Sequence, residues 1–155
     1  MSPAVRHRLH EAVVVSAAAL ALATAGGCTG YSGTRSHQVS QWALQYTVVA
    51  NDQTVLSDIG AIKRSLRAGR LKDVTSNCAG LVTDAGTAYG NLPTPDDTLT
   101  DELNTAYEDF ANAGSSCAGA GSLRSKKITA ALSKIAVGLV SLDKATRRLA
   151  ADGVH

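Results

Sequence analysis

Apolar residues recur every three or four positions through most of the chain after residue 38, which is the spacing of amphipathic α-helices. The first such stretch carries two stripes, and the second is displaced from the first around Asn51-Asp52. The stripes are Val39, Trp42, Tyr46 and Val49, then Val55, Ile59, Ile62 and Leu66. We prefer one long helix with a local irregularity; the alternative is a short helix followed by a second one capped by Asp52. Gly69 then supplies the left-handed residue that ends helices.

Three more regular stripes follow, and breakers separate them. Pro93 and Pro95 end the first, and the sequence Ala118-Gly119-Ala120-Gly121 ends the second. The stripes are Leu71, Val74, Cys78, Leu81, Ala85 and Tyr89; Leu99, Leu103, Ala106, Phe110, Ala113 and Cys117; and Ile128, Leu132, Ile135, Leu139, Leu142 and Leu149. Four amphipathic helices with short connections predict an all-α fold, an up-down-up-down antiparallel four-helix bundle over residues 38–155.

The first 28 residues follow a different pattern. Basic residues at Arg6 and Arg8 precede an apolar run over 13–23, which is shorter than the roughly 20 residues that a membrane-spanning helix needs. The run leads into Ala25-Gly26-Gly27-Cys28, which resembles the lipobox of bacterial lipoprotein precursors. The resemblance implies a signal peptide over 1–27, cleaved before a Cys28 that carries fatty acyl groups such as palmitate. A plain secretory signal, or an uncleaved anchor, is the alternative.

The lipobox resemblance sets the expected location of the mature chain. Two or more acyl chains on Cys28 hold a protein stably at a membrane surface. Residues 28–37 are rich in turn-forming residues and lack an apolar period, so they predict a flexible tether. We therefore expect a lipid-anchored protein on the extracytoplasmic face of the cell membrane.

Cys78 and Cys117 fall on the apolar stripes of consecutive helices. Outside the cytoplasm such a pair favours a disulfide, which would stabilise by roughly 3–4 kcal/mol. The two cysteines differ in distance from the intervening turn by about 12 Å at 1.5 Å per residue. The connection after Leu92 would therefore have to climb along the helix axis. Two buried free thiols are the alternative.

Candidate chemistry is sparse in the mature chain. Its only histidines are His37 and His155, so the sequence contains no interior partner for a Ser-His or Cys-His pair, and no Glu-x-x-His metal motif. Removing the leader leaves a formal net charge of about +1, which does not favour nucleic-acid binding. We expect no catalytic site, no metal and no cofactor.

The charges are nevertheless unevenly placed. Between Lys72 and Arg124 every charged residue is acidic, and the bundle topology would bring two basic groups to the end far from the membrane. These groups are Lys63, Arg64, Arg67, Arg70 and Lys72, then Arg124, Lys126 and Lys127. The second group lies at a helix N-terminus, where positive charge is unfavourable. Salt bridges to the acidic helix would explain it; the sharper hypothesis is a docking surface for an anionic envelope polymer or protein.

Two functions therefore stay open. The first is a non-enzymatic interaction or structural module at the cell envelope. The second is a carrier or sensor for a small apolar ligand held between the helices, which needs a cavity beside the seam alanines Ala85, Ala106, Ala113 and Ala131. The mature region also resembles small Ala-rich helical lipoproteins of actinobacteria through Trp42, Cys78, Cys117 and Leu92-Pro93-Thr94-Pro95-Asp96. That resemblance implies the helical architecture and transfers no activity to this chain.

Overall fold

A computed structural model describes residues 30–155 and shows five α-helices in that range, with no strand among them. The predicted signal peptide and Cys28 lie outside the described residues. The helices are α1 (Arg35–Gln45), α2 (Val48–Arg67), α3 (Leu71–Tyr89), α4 (Asp97–Ala118) and α5 (Lys126–Ala151). The all-helical class is thereby confirmed.

The first helical stretch is broken in two, so the expectation of one long helix is wrong. Thr47 adopts left-handed backbone angles (φ 49°), and α2 begins at the next residue. The break lies about four residues before the predicted irregularity. The side-chain amide of Asn51 donates a 2.9 Å hydrogen bond to the carbonyl of Tyr46, which stabilises the turn. Asp52 does not cap a helix; it lies inside α2 and is buried.

Helix α1 begins at Arg35, inside the segment 28–37 that was predicted to be a flexible tether. The Thr34 side chain accepts a hydrogen bond from the backbone N–H of His37 and so caps the helix. Tyr31 also packs against the core, and its hydroxyl donates to Oε1 of Gln45. Residues 31–37 therefore belong to the folded unit, which spans Tyr31–His155.

Helices α2 and α3 are joined by a turn that the sequence predicted. Gly69 has φ +70°, and its N–H bonds the carbonyl of Leu66 while that of Arg70 bonds the carbonyl of Ser65. This pair of bonds is the Schellman motif, which satisfies the last carbonyls of a helix. Asn77 contacts Ser65 near the turn, so the two helices run antiparallel from there.

The connection between α3 and α4 resolves the mismatch in cysteine register. Residues 90–96 continue along the bundle after α3 ends, and α1 covers them: the Trp42 indole donates to the carbonyl of Asn91 at 3.0 Å. Asp96 caps α4 by accepting from the N–H of Leu99, and the Arg35 side chain pairs with the same carboxylate. Helix α4 thus begins beyond the end of α3, which brings Cys117 level with Cys78.

Two glycines set the closest helix contacts. A Cβ on Gly114 would lie 2.7 Å from the Cys78 carbonyl, and one on Gly138 would lie 2.6 Å from the Phe110 ring. The core therefore uses small residues where α4 meets its neighbours. The predicted stripes are wrong at Tyr89 and Leu132, which are exposed, because Ala88 and Ala131 take the buried positions instead.

Candidate functional site

The predicted docking residues are brought together at one end of the molecule, which we call the basic end. It comprises the last turn of α2, the first turn of α3, and the connection that leads into α5. Its eight basic side chains are all exposed: Lys63, Arg64, Arg67, Arg70, Lys72, Arg124, Lys126 and Lys127. The only acidic residue in these segments is Asp73, which pairs with Arg70 at 2.9 Å.

Local helix geometry accounts for part of this charge. Arg64 and Arg67 occupy the last turn of α2, where cations are favourable. Lys127 donates a 3.0 Å hydrogen bond to the carbonyl of Gly119, just after α4 ends. Among residues 30–155, neither Arg124, Lys126 nor Lys127 forms a salt bridge. In α4, Asp109 pairs with Lys134 and Glu102 pairs with Arg148, so salt bridges to this helix do not account for the second basic group.

A polar pocket of about 330 Å³ opens at the basic end between α2 and α3. Arg64 and Arg70 line it, together with Ser76 and Asn77. The Asn77 amide donates 3.1 Å to the hydroxyl of Ser65, which is buried at the pocket floor. Asp73 also lines the pocket and pairs with Arg70, so the Arg64 guanidinium and the neutral donors are the groups that suit an oxygen-rich anion here.

The cysteine pair lies just below this end. The sulfur atoms of Cys78 and Cys117 are at bonding distance, their Cα atoms are 5.8 Å apart, and both residues are buried. The cross-link joins α3 to α4 and closes a separation of 39 residues. The predicted pairing therefore has the geometry of a disulfide. It ties α3, whose first turn belongs to the basic end, to α4.

A second feature, which the sequence analysis missed, lies where α1, α2 and the last residues meet. An apolar groove of about 470 Å³ runs past Leu44, Val49 and Val154. A smaller lobe of about 220 Å³ continues beyond Val154, between Leu56 and Leu149. We call the two together the apolar groove. Leu44 is 79% exposed, so the groove presents a large apolar side chain to solvent.

The last residues hold their place against α1. Gly153 (φ +83°) and Val154 close a second Schellman motif, in which the N–H of Val154 bonds the carbonyl of Leu149. Ser36 and Ser40 of α1 both donate to the carbonyl of Asp152. These bonds fix Val154 between the two lobes of the apolar groove.

Asp52 lies at the floor of the smaller lobe and is only 9% exposed. The Tyr107 hydroxyl of α4 donates to its Oδ1 at 2.7 Å. Burial raises the pKa of Asp52 to about 6, although the bond from Tyr107 acts in the opposite direction. Burial and the neighbouring Asp52 raise the pKa of Tyr107 as well. The sequence did contain a signal, because Asp52 falls on the period of Val48, Val55 and Ile59, at a position that should face the core.

A pair of carboxyl groups lies halfway along α2. The carboxyl group of Asp58 lies close to that of Asp84 in α3, and its Oδ2 is buried without a hydrogen-bond partner. Burial and the neighbouring Asp84 raise the pKa of Asp58 to about 6. Over residues 30–155 no three His, Cys, Asp or Glu side chains are grouped to hold a metal ion.

No helix in the described part of the chain is long and apolar enough to cross a membrane. The chain matches no protein-family model, no curated protein and no solved structure.

Proposed function

We propose that the protein is a non-enzymatic, lipid-anchored module at the extracytoplasmic face of the cell membrane, and that its basic end binds an anionic polymer or acidic protein of the envelope. The observation that carries the proposal is the separation of charge. Eight basic residues and one acidic residue occupy the basic end, whereas the rest of residues 30–155 holds five basic and eleven acidic residues.

The position of the basic end supports a partner away from the membrane. Tyr31 lies beside Gln45, near the junction of α1 and α2. The backbone between Tyr31 and Cys28 can reach only about 10 Å, whereas α2 carries the chain about 30 Å further to Arg67. The basic end therefore lies several Debye lengths from Tyr31, the first residue of the folded unit. We propose that α2 to α5 form the up-down-up-down bundle, with α1 added across one end; the packing of α2 on α3, α3 on α4 and α4 on α5 supports this proposal.

The lipid anchor rests on the resemblance of Ala25–Cys28 to a lipobox. Intact-mass measurement of protein recovered from cells tests it. We expect a mass that corresponds to residues 28–155 plus diacylglycerol, and a Cys28→Ala variant that leaves the membrane fraction. An unmodified mass in a wholly soluble fraction would refute the anchor and leave the binding activity of the basic end to be judged separately.

Charge reversal tests the docking surface. Lys126→Glu with Lys127→Glu changes the net charge by four units at the start of α5, where acidic residues suit the helix dipole. Lys144→Glu with Arg147→Glu makes the same change on the same helix, at exposed positions outside the basic end. Binding to extracted cell wall should fall at least tenfold for the first pair and stay near wild type for the second.

A larger reversal gives the decisive result. It combines four residues drawn from both basic groups: Arg67, Arg70, Lys126 and Lys127. Circular dichroism confirms that the variant folds. Unchanged binding of this folded variant to extracted cell wall would end the proposal.

Carriage of a small apolar ligand is the second candidate function, and the apolar groove favours it. The seam between the central helices favours it less. Ala106, Ala113 and Ala131 are almost fully buried, and Ala85 borders a cavity of about 480 Å³ between α3 and α4 whose lining includes the polar residues Glu108 and Asn112. The ligand of this second candidate would lie in the apolar groove between α1, α2 and the last residues, because its lining is more apolar than that of the cavity beside Ala85. The volume of the larger lobe is within the range of small-molecule sites.

A further inference from the structure

The apolar groove contains a charge that its apolar walls do not explain. Asp52 lines the smaller lobe beside Leu56, Leu149 and Val154, whereas its hydrogen-bond partner Tyr107 lies on the core side and does not line the groove. Among the described residues only Tyr107 donates to the Asp52 carboxyl group, and it does so at Oδ1. No described Lys or Arg forms an ion pair with Asp52. A buried carboxylate without a cation is costly, and such groups are normally paired.

The surroundings of the groove favour a cation as that partner. Outside the basic end the described chain carries more than twice as many acidic as basic residues. Besides Asp52, which lines the smaller lobe alone, His155 is the one ionisable side chain in the lining of the two lobes, and it is exposed rather than inserted against the carboxyl group. The two lobes share Val49 and Val154, so a ligand whose charged end reaches Asp52 can extend an aliphatic tail toward Leu44.

We propose that the apolar groove binds an amphipathic cation, an aliphatic chain that ends in an ammonium group, with Asp52 as counter-ion and Leu44, Val49 and Leu56 along the chain. This inference rests on the second candidate function and names the ligand class for it. It is independent of the basic end, which lies at the other end of α2. The Tyr107 hydroxyl holds the carboxyl group in place, which makes Tyr107 a positioning residue.

Three probes with one tail length test the proposal: octylamine, octanol and octanoate, each below its micelle concentration. Isothermal titration calorimetry with the folded chain should show octylamine binding at least tenfold more tightly than octanol, and octanoate more weakly still. Chemical-shift changes should centre on Val49, Leu56 and Val154. Asp52→Asn should lower octylamine affinity at least tenfold and leave octanol affinity unchanged.

Two controls separate the possible outcomes. Asp101→Asn removes an exposed carboxylate from α4 and should leave octylamine binding unchanged. Leu44→Ser removes apolar surface from the groove and should weaken all three probes alike. Equal binding of the three tails would refute recognition of the cation and leave the carrier function standing. Failure of every probe to bind would overturn the carrier function as well.

Discussion

Replacing Asp52 by Asn should change how the stability of the fold depends on pH. Burial raises the pKa of Asp52 from 3.8 to about 6 in the folded state. Between these two values the folded chain holds a proton that the unfolded chain has released, so stability falls as pH rises through this window. The asparagine side chain of the variant cannot ionise, yet its oxygen can still accept the bond from Tyr107.

The size of the effect follows from the shift. Two pKa units correspond to about 3 kcal/mol at 1.36 kcal/mol per unit, and solvent screens this little because Asp52 is almost wholly buried. Relative to the variant, the wild-type chain should therefore lose about 2.4 kcal/mol of this stability between pH 4 and pH 7. Asp58 also has a raised pKa, but it is partly exposed, and both proteins retain its smaller contribution.

Urea denaturation followed by tryptophan fluorescence measures this difference. Trp42 is the only tryptophan, it is buried, and its indole bonds Asn91, so its emission reports the folded state. Tyr107→Phe provides a second variant. Because the hydroxyl of Tyr107 lowers the pKa of Asp52, its removal should move the loss of stability to higher pH. Parallel stability curves for wild type and Asp52→Asn from pH 4 to 7 would refute the reasoning.

Three further variants test the packing. Gly138→Ala should lower the free energy of unfolding by about 1–3 kcal/mol, because its Cβ would overlap Phe110. Gly86→Ala has open space around its Cβ and should raise the free energy of unfolding by about 0.5–1 kcal/mol. An equal effect of the two variants in urea denaturation would contradict the close contact at Gly138. Cys78→Ser with Cys117→Ser should lower the free energy of unfolding by about 4 kcal/mol for the loop it opens, measured against the oxidised chain, and equal stability would show that the bridge contributes nothing.

The helical part of the fold was predictable wherever local signals agreed with each other. Gly69 ends α2 as expected, and the prolines after Leu92 end α3, since each residue imposes its own backbone preference. The break before α2 was not predictable in this way. Thr47 is a β-branched residue in a left-handed conformation, which its own preference disfavours. The bond from the Asn51 amide to the Tyr46 carbonyl stabilises the turn instead, and the apolar pattern carries no sign of it.

The two candidate sites differ in how far the sequence could reveal them. The basic end was predictable because antiparallel helices bring the end of α2 and the start of α5 to one place. The apolar groove was not, because Val154 is distant in sequence from Ser40 and Val49 and meets them only through the turn after α5. Asp52 gave the one available sign in the sequence, because it is a carboxylate at a position that should face the core. The sequence does not show that apolar residues of α5 and the last residues surround it.

The placement of the two sites bears on how the molecule could use both. Exposed charges at the basic end are screened beyond about 8–10 Å at physiological ionic strength, and α2 separates them from Asp52 by more than that. Occupation of the apolar groove therefore cannot alter binding at the basic end through charge alone. Any coupling would need a mechanical path, and the rigid helix pair tied by Cys78 and Cys117 offers few alternative arrangements. We therefore infer two sites that act independently on one rigid support.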